Sequence, residues 1–130
     1  PPVNTLIIIT ALKKEFLLPT ILSRCEIINL KEKGIEFTSE DISAFNDVLD
    51  VLFNGKIGDK LKIASDIVGN KEGVSVWLEK MSIFIREKVI QSPKDSRYFR
   101  LLRQLLKTHA VIQSTNVNQR IALENLFLSL

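Results

Sequence analysis

Metal and disulfide chemistry are nearly closed to this chain, which has a single cysteine, Cys25, and a single histidine, His109. One cysteine excludes an internal disulfide and fits a reducing, cytoplasmic setting. One cysteine plus one histidine exclude a Cys/His zinc cluster within one chain. The five glycines are scattered as helix stops, and no Gly-rich loop closes on Lys-Ser/Thr, so a phosphate loop is absent. Nor does an acidic strand end suited to holding magnesium occur. No apolar run approaches the roughly 20 residues that span a bilayer, and no basic-then-apolar leader with a small-residue cleavage site is seen. The expectation is a soluble, cytoplasmic protein with no membrane partner and no catalysis of its own.

What is present suits a folded domain. The 130 residues are 45% hydrophobic and 25% charged, enough to bury a useful core and too apolar for disorder. The formal charge of +3 is modest, unlike that of an autonomous nucleic-acid binder. The opening Pro1-Pro2, without an initiator methionine, leads us to expect a piece of a longer chain.

The pattern changes near residue 30. Before it, Leu6–Thr10 is an aliphatic run of the kind a doubly buried parallel strand shows, and Ile27, Ile28 and Leu30 suggest a second strand. A short helix-like segment ending Pro19-Thr20-Ile21-Leu22-Ser23 lies between them. Two strands are marginal alone, so residues 1–30 read as the trailing edge of a larger α/β domain.

Residues 31–130 read as helical. Thr38 and Asp41 have capping-box spacing and open a helix with Ile42, Phe45, Val48, Leu49, Leu52 and Phe53 on one face, stopped by Asn54-Gly55. Ile57, Leu61, Ala64, Ile67 and Val68 trace a second, ended by Gly69-Asn70. A third is expected from about Lys71 to Ile90. It carries one stripe of Val74, Trp77, Leu78, Met81, Ile85 and Val89 and another of Val76, Ile83 and Ile90, as in a central helix or one that also meets a partner. After Ser92-Pro93, Tyr98, Leu101, Leu102, Leu105 and Ile112 define a fourth helix; Ile121, Leu123, Leu126 and Phe127 define a fifth. The expected fold is mainly α: a five-helix bundle preceded by a two-strand α/β remnant.

Most residues that could carry chemistry have an ordinary reading. His109 lies on the apolar face of the fourth helix, where a hydrogen-bonded boundary histidine is expected. Cys25 reads as a small buried hydrophobe opening a strand. Trp77 and the seven phenylalanines sit at core periodicities rather than on a stacking platform. Lys94, Arg97, Arg100, Arg103 and Lys107 are spaced three, three, three and four apart, most of them along one ridge. That ridge reads first as a solvated face opposite Leu101–Leu105, the alternative being contact with DNA phosphates or an acidic partner. Arg24 is open between an intramolecular ion pair and a planar donor fork offered to a γ-phosphate in trans.

Residues 1–5, the Leu6–Thr10 run and Leu17–Cys25, with its Ser23-Arg24-Cys25 triplet, together resemble AAA+ clamp-loader subunits from sensor 1 to the Ser-Arg-Cys motif. The closing Asn116–Leu126 resembles the last helix of the delta-prime type of the bacterial DNA polymerase III clamp loader. The resemblance implies a subunit of a five-membered ring that loads the sliding clamp on primed DNA in replication, assembled with gamma/tau-type and delta-type subunits. Arg24 matches the family's arginine finger, reaching ATP held by a neighbour, with Ser23 and Cys25 positioning it. No cofactor would be bound by this chain itself. Residues 1–30 would end the ATPase domain, and residues 31–130 would be the collar that holds the ring together.

Two departures accompany the resemblance. Where active members carry a polar sensor 1 residue, this chain reads Thr10-Ala11-Leu12, and Leu12 cannot orient a water or a phosphate. The family's helical lid is expected to be absent, or collapsed into the helices of residues 42–68, because only Lys31–Ser39 separates Leu30 from the bundle. A gamma/tau-type subunit and a helical interaction domain unrelated to replication stand as alternatives. An isolated fragment is further expected to self-associate through exposed strand edges.

Overall fold

A computed structural model describes residues 2–30 and 35–130, in two compact units, Pro1–Gly34 and Ile35–Leu130. Residues 31–34, which open the Lys31–Ser39 segment expected to be too short for a separate lid, lie outside the described residues.

In the first unit neither expected strand forms. Leu6–Thr10 and Ile27–Leu30 carry no ladder, and the regular structure among the described residues is a 3-10 turn, Lys14–Phe16, and one helical turn, α1, Pro19–Leu22. The physical reason is that an aliphatic run signals a need for burial, whereas a strand exists only through hydrogen bonds to a neighbour. The two segments do not pair with each other, and Leu6, Ile7 and Ile8 are each more than 60% exposed. Cys25, expected to be buried in a strand, is exposed for the same reason: no described side chain of this unit is buried.

The second unit is the expected bundle. Its helices are α2 Ser39–Asn54, α3 Ile57–Val68, α4 Val74–Gln91, α5 Ser96–Ser114 and α6 Gln119–Leu128. Both halves of the capping box open α2. The Asp41 N–H donates to Thr38 Oγ1 at 3.2 Å, and the Thr38 N–H donates to Asp41 Oδ2 at 3.0 Å. The Thr38 N–H foremost, and then the Thr38 hydroxyl, which donates to Asp41 Oδ2 at 2.9 Å, hold the Asp41 carboxyl below the usual range. Gly55 ends α2 where a Cβ would lie 2.5 Å from the Val51 carbonyl oxygen, a contact no side chain tolerates.

Helix α4 starts at Val74, the first residue of its apolar stripe and three residues after the expected start at about Lys71. The Glu72 N–H donates to Asn70 Oδ1 at 3.2 Å, making a turn, and Gly73 has φ 84° and ψ 160°. That backbone region is essentially open to glycine alone. A Cβ at Gly73 would meet nothing within 4 Å, so the cost of Gly73→Ala is conformational strain. We expect a loss of about 1–3 kcal/mol in urea unfolding followed by circular dichroism.

Helix α4 packs most extensively on α5, while α6 lies against α3 and α5. Leu52, Ala64, Leu78, Met81, Ile85, Leu101, Leu105, Leu123 and Phe127 are each 1% exposed or less and form the centre of the core. Phe37, Phe45 and Phe84 join the approach to α2, α2 itself and α4, with ring centroids 5.3–6.1 Å apart. Among the described residues the one buried polar side chain, Ser82, donates Oγ–H to the Leu78 carbonyl at 2.7 Å, so it adds no unsatisfied group. Not every residue of the expected stripes is inside. Phe16 and Phe99 are exposed, against their core assignment, as are Ile57 and Ile121. In the second stripe of α4, Ile83 is half-buried while Val76 and Ile90 are exposed.

Candidate functional site

The Ser23-Arg24-Cys25 triplet sits where α1 ends. Pro19 occupies the first turn, where its missing N–H costs nothing. The turn is closed by the Ser23 N–H donating to the Pro19 carbonyl at 3.0 Å and by the Arg24 N–H donating to the Ile21 carbonyl at 3.1 Å. Ser23 Oγ–H donates to the Thr20 carbonyl at 3.0 Å. Ser23 thus fixes the backbone from which Arg24 departs, while Arg24 itself is exposed. Among the described residues its guanidinium makes no salt bridge, so the ion-pair reading finds no partner there. Cys25 follows as a free, exposed thiol and makes no hydrogen bond to Arg24.

The basic ridge is shorter than its spacing suggests. Lys94 precedes α5, outside the helix. Asp95 caps α5 by accepting from the Arg97 N–H at 3.1 Å, and the Arg97 guanidinium donates to both Asp95 oxygens, Nε at 3.1 Å and Nη2 at 2.9 Å. The Arg97 side chain holds the Asp95 carboxyl below its ordinary range, and Asp95 in turn raises the Arg97 guanidinium. Arg97 also lies over the Phe53 ring, 5.0 Å from its centroid. It therefore secures the start of α5 to α2. Arg100, Arg103 and Lys107 remain, all exposed and without salt bridges among the described residues. At 3.6 residues per turn these three fall within roughly 60° of one another around α5.

His109 behaves as its place on α5 implies. It is half-buried, and its Nε2 lies 3.0 Å from Ser75 Oγ in the first turn of α4. The contact ties the two most closely packed helices together.

Sequence periodicity missed the groove between α5 and α6, a trough of about 500 Å³. Gln104, Lys107 and Val111 line one wall, and Val117, Ile121 and Ala122 line the other. The available signal was Ile121, which at 3.6 residues per turn lies roughly 120–160° around α6 from the buried Leu123 and Phe127.

None of the described helices is long and apolar enough to cross a membrane. What the fold and site define is a helical bundle with a one-signed basic helix, together with a separate unit that presents an exposed arginine at the end of a tied turn. No family model, no curated protein and no solved structure matches the chain.

Proposed function

We propose that the chain is a delta-prime-type subunit of a replicative clamp loader, non-hydrolysing itself, that lends Arg24 to the ATP site of an adjacent subunit. The observation that carries this reading is the Ser-Arg-Cys triplet at the end of α1, with Ser23 locked to Thr20 and Arg24 exposed. A permanently charged planar fork on a fixed backbone suits phosphate recognition across an interface. As water attacks the γ-phosphorus and the bond to the bridging β–γ oxygen breaks, negative charge develops on the phosphoryl oxygens and the departing ADP. A guanidinium delivered in trans stabilises that charge without entering the chemistry. On this reading the five-helix unit is the collar, and ATP belongs to the neighbour.

A second reading, a helical interaction domain unrelated to replication, draws on the groove and basic face of α5 and α6. Clamp-stimulated ATP hydrolysis in a reconstituted loader separates the two. Arg24→Ala lowers it with the ring still assembled on the first reading, and unchanged hydrolysis removes the finger.

A further inference from the structure

The groove between α5 and α6 combines an apolar floor with charge of one sign. Val111, Val117 and Ile121 line it and are 38%, 39% and 55% exposed. From Ser96 to Leu128 the basic residues are Arg97, Arg100, Arg103, Lys107 and Arg120, against the single acid Glu124. Glu124 is already engaged, accepting from Arg120 Nε at 2.9 Å. Lys107 stands in the wall of the groove. Arg103 and Arg100 continue the same side of α5 for two further turns.

We propose that this groove docks an acidic amphipathic helix of a partner protein. Gln104 to Val111 spans two turns of α5, about 10 Å, matching the length over which a guest helix presents anchors at i, i+3 or i+4, and i+7. Apolar anchors would cover Val111, Val117 and Ile121, while carboxylates flanking them meet Lys107, Arg103 and Arg100. Other occupants complement the charge poorly. A second copy would set one basic face against another. Residues 2–30 carry Lys13, Lys14 and Arg24 against Glu15 and Glu26, so they offer no acidic surplus. Nucleic acid would satisfy the cations but leave the apolar floor uncovered. The inference is independent of the role assigned to Arg24.

A displayed library of 18-residue helices tests it, each with a fixed Leu stripe and every other position either Glu or Lys, sorted on the labelled full chain. The expected result is strong enrichment of Glu-rich clones. Their affinity should fall at least tenfold on Ile121→Glu, an exposed change whose fold is checked by circular dichroism, and again on Lys107→Glu with Arg103→Glu. Several results would overturn the proposal. One is no enrichment, or enrichment without a Glu bias. Another is full binding to Ile121→Glu. A third is single-stranded DNA binding tighter than any clone and indifferent to Ile121→Glu, which would make the face a phosphate surface. A fourth is a concentration-dependent dimer in ultracentrifugation that Ile121→Glu abolishes, which would make the occupant a second copy.

Discussion

Arg24→Ala in an assembled loader should slow ATP hydrolysis at the adjacent site by about 10³-fold or more, the range in which a finger supplied in trans operates. Total hydrolysis then drops by that site's share, which single-turnover measurements resolve. The Arg24 side chain carries no structural ion pair among the described residues. The Arg24 backbone N–H holds the end of α1, a contact alanine keeps. The substitution therefore removes the charge and leaves the turn. Arg24→Lys keeps the charge but loses the planar fork, so an intermediate rate is expected. If alanine and lysine both hydrolyse at the parent rate, Arg24 has no part in phosphate chemistry.

Phe127→Ala should destabilise the bundle by about 3–5 kcal/mol, the usual cost of emptying a large aromatic site that cannot collapse. Phe127 is fully buried, and its ring meets Trp77 edge to face with centroids 6.0 Å apart. The helix that carries it, α6, has only 10 residues, below the length at which isolated helices persist in water. It is held by packing on α3 and α5. Removing the ring therefore withdraws one of the three α6 side chains, with Leu123 and Leu126, that anchor the helix in the core, as well as the apolar area it covers. Urea unfolding followed by circular dichroism reads the loss directly, with a fall in melting temperature of at least about 12 °C. A cost under about 1 kcal/mol would mean that α6 is not part of the cooperative core.

The bundle was legible because its signals are local. Thr38 and Asp41 marked the start of α2, Gly55 its stop, and the 3.6-residue stripes of Leu and Phe marked five helices. The expected start of α4 at about Lys71 falls three residues early because Asn70–Gly73 form a turn, and the positive φ of Gly73 leaves no trace in periodicity; the apolar stripe itself begins at Val74, where the helix does. The strands failed for a different reason. Leu6–Ile9 states an appetite for burial, but pairing depends on a neighbour that a local pattern cannot name. In the site, Arg24 and the ridge were found by residue type and spacing. That Arg97 belongs to the Asp95 cap and the Phe53 ring, leaving three free cations on α5 among the described residues, required the tertiary arrangement. The groove was hidden because Ile121 looks like any apolar helix residue until its exposure is seen.

Membership of a clamp-loader ring is tested most directly by weighing the assembly. The chain is mixed with gamma-type and delta-type subunits from the same source, and the complexes are sized by mass photometry. The expected product is a five-membered ring containing a single copy of this chain. Rings that form without it, or a chain that stays apart from both subunits at micromolar concentration, would contradict that membership.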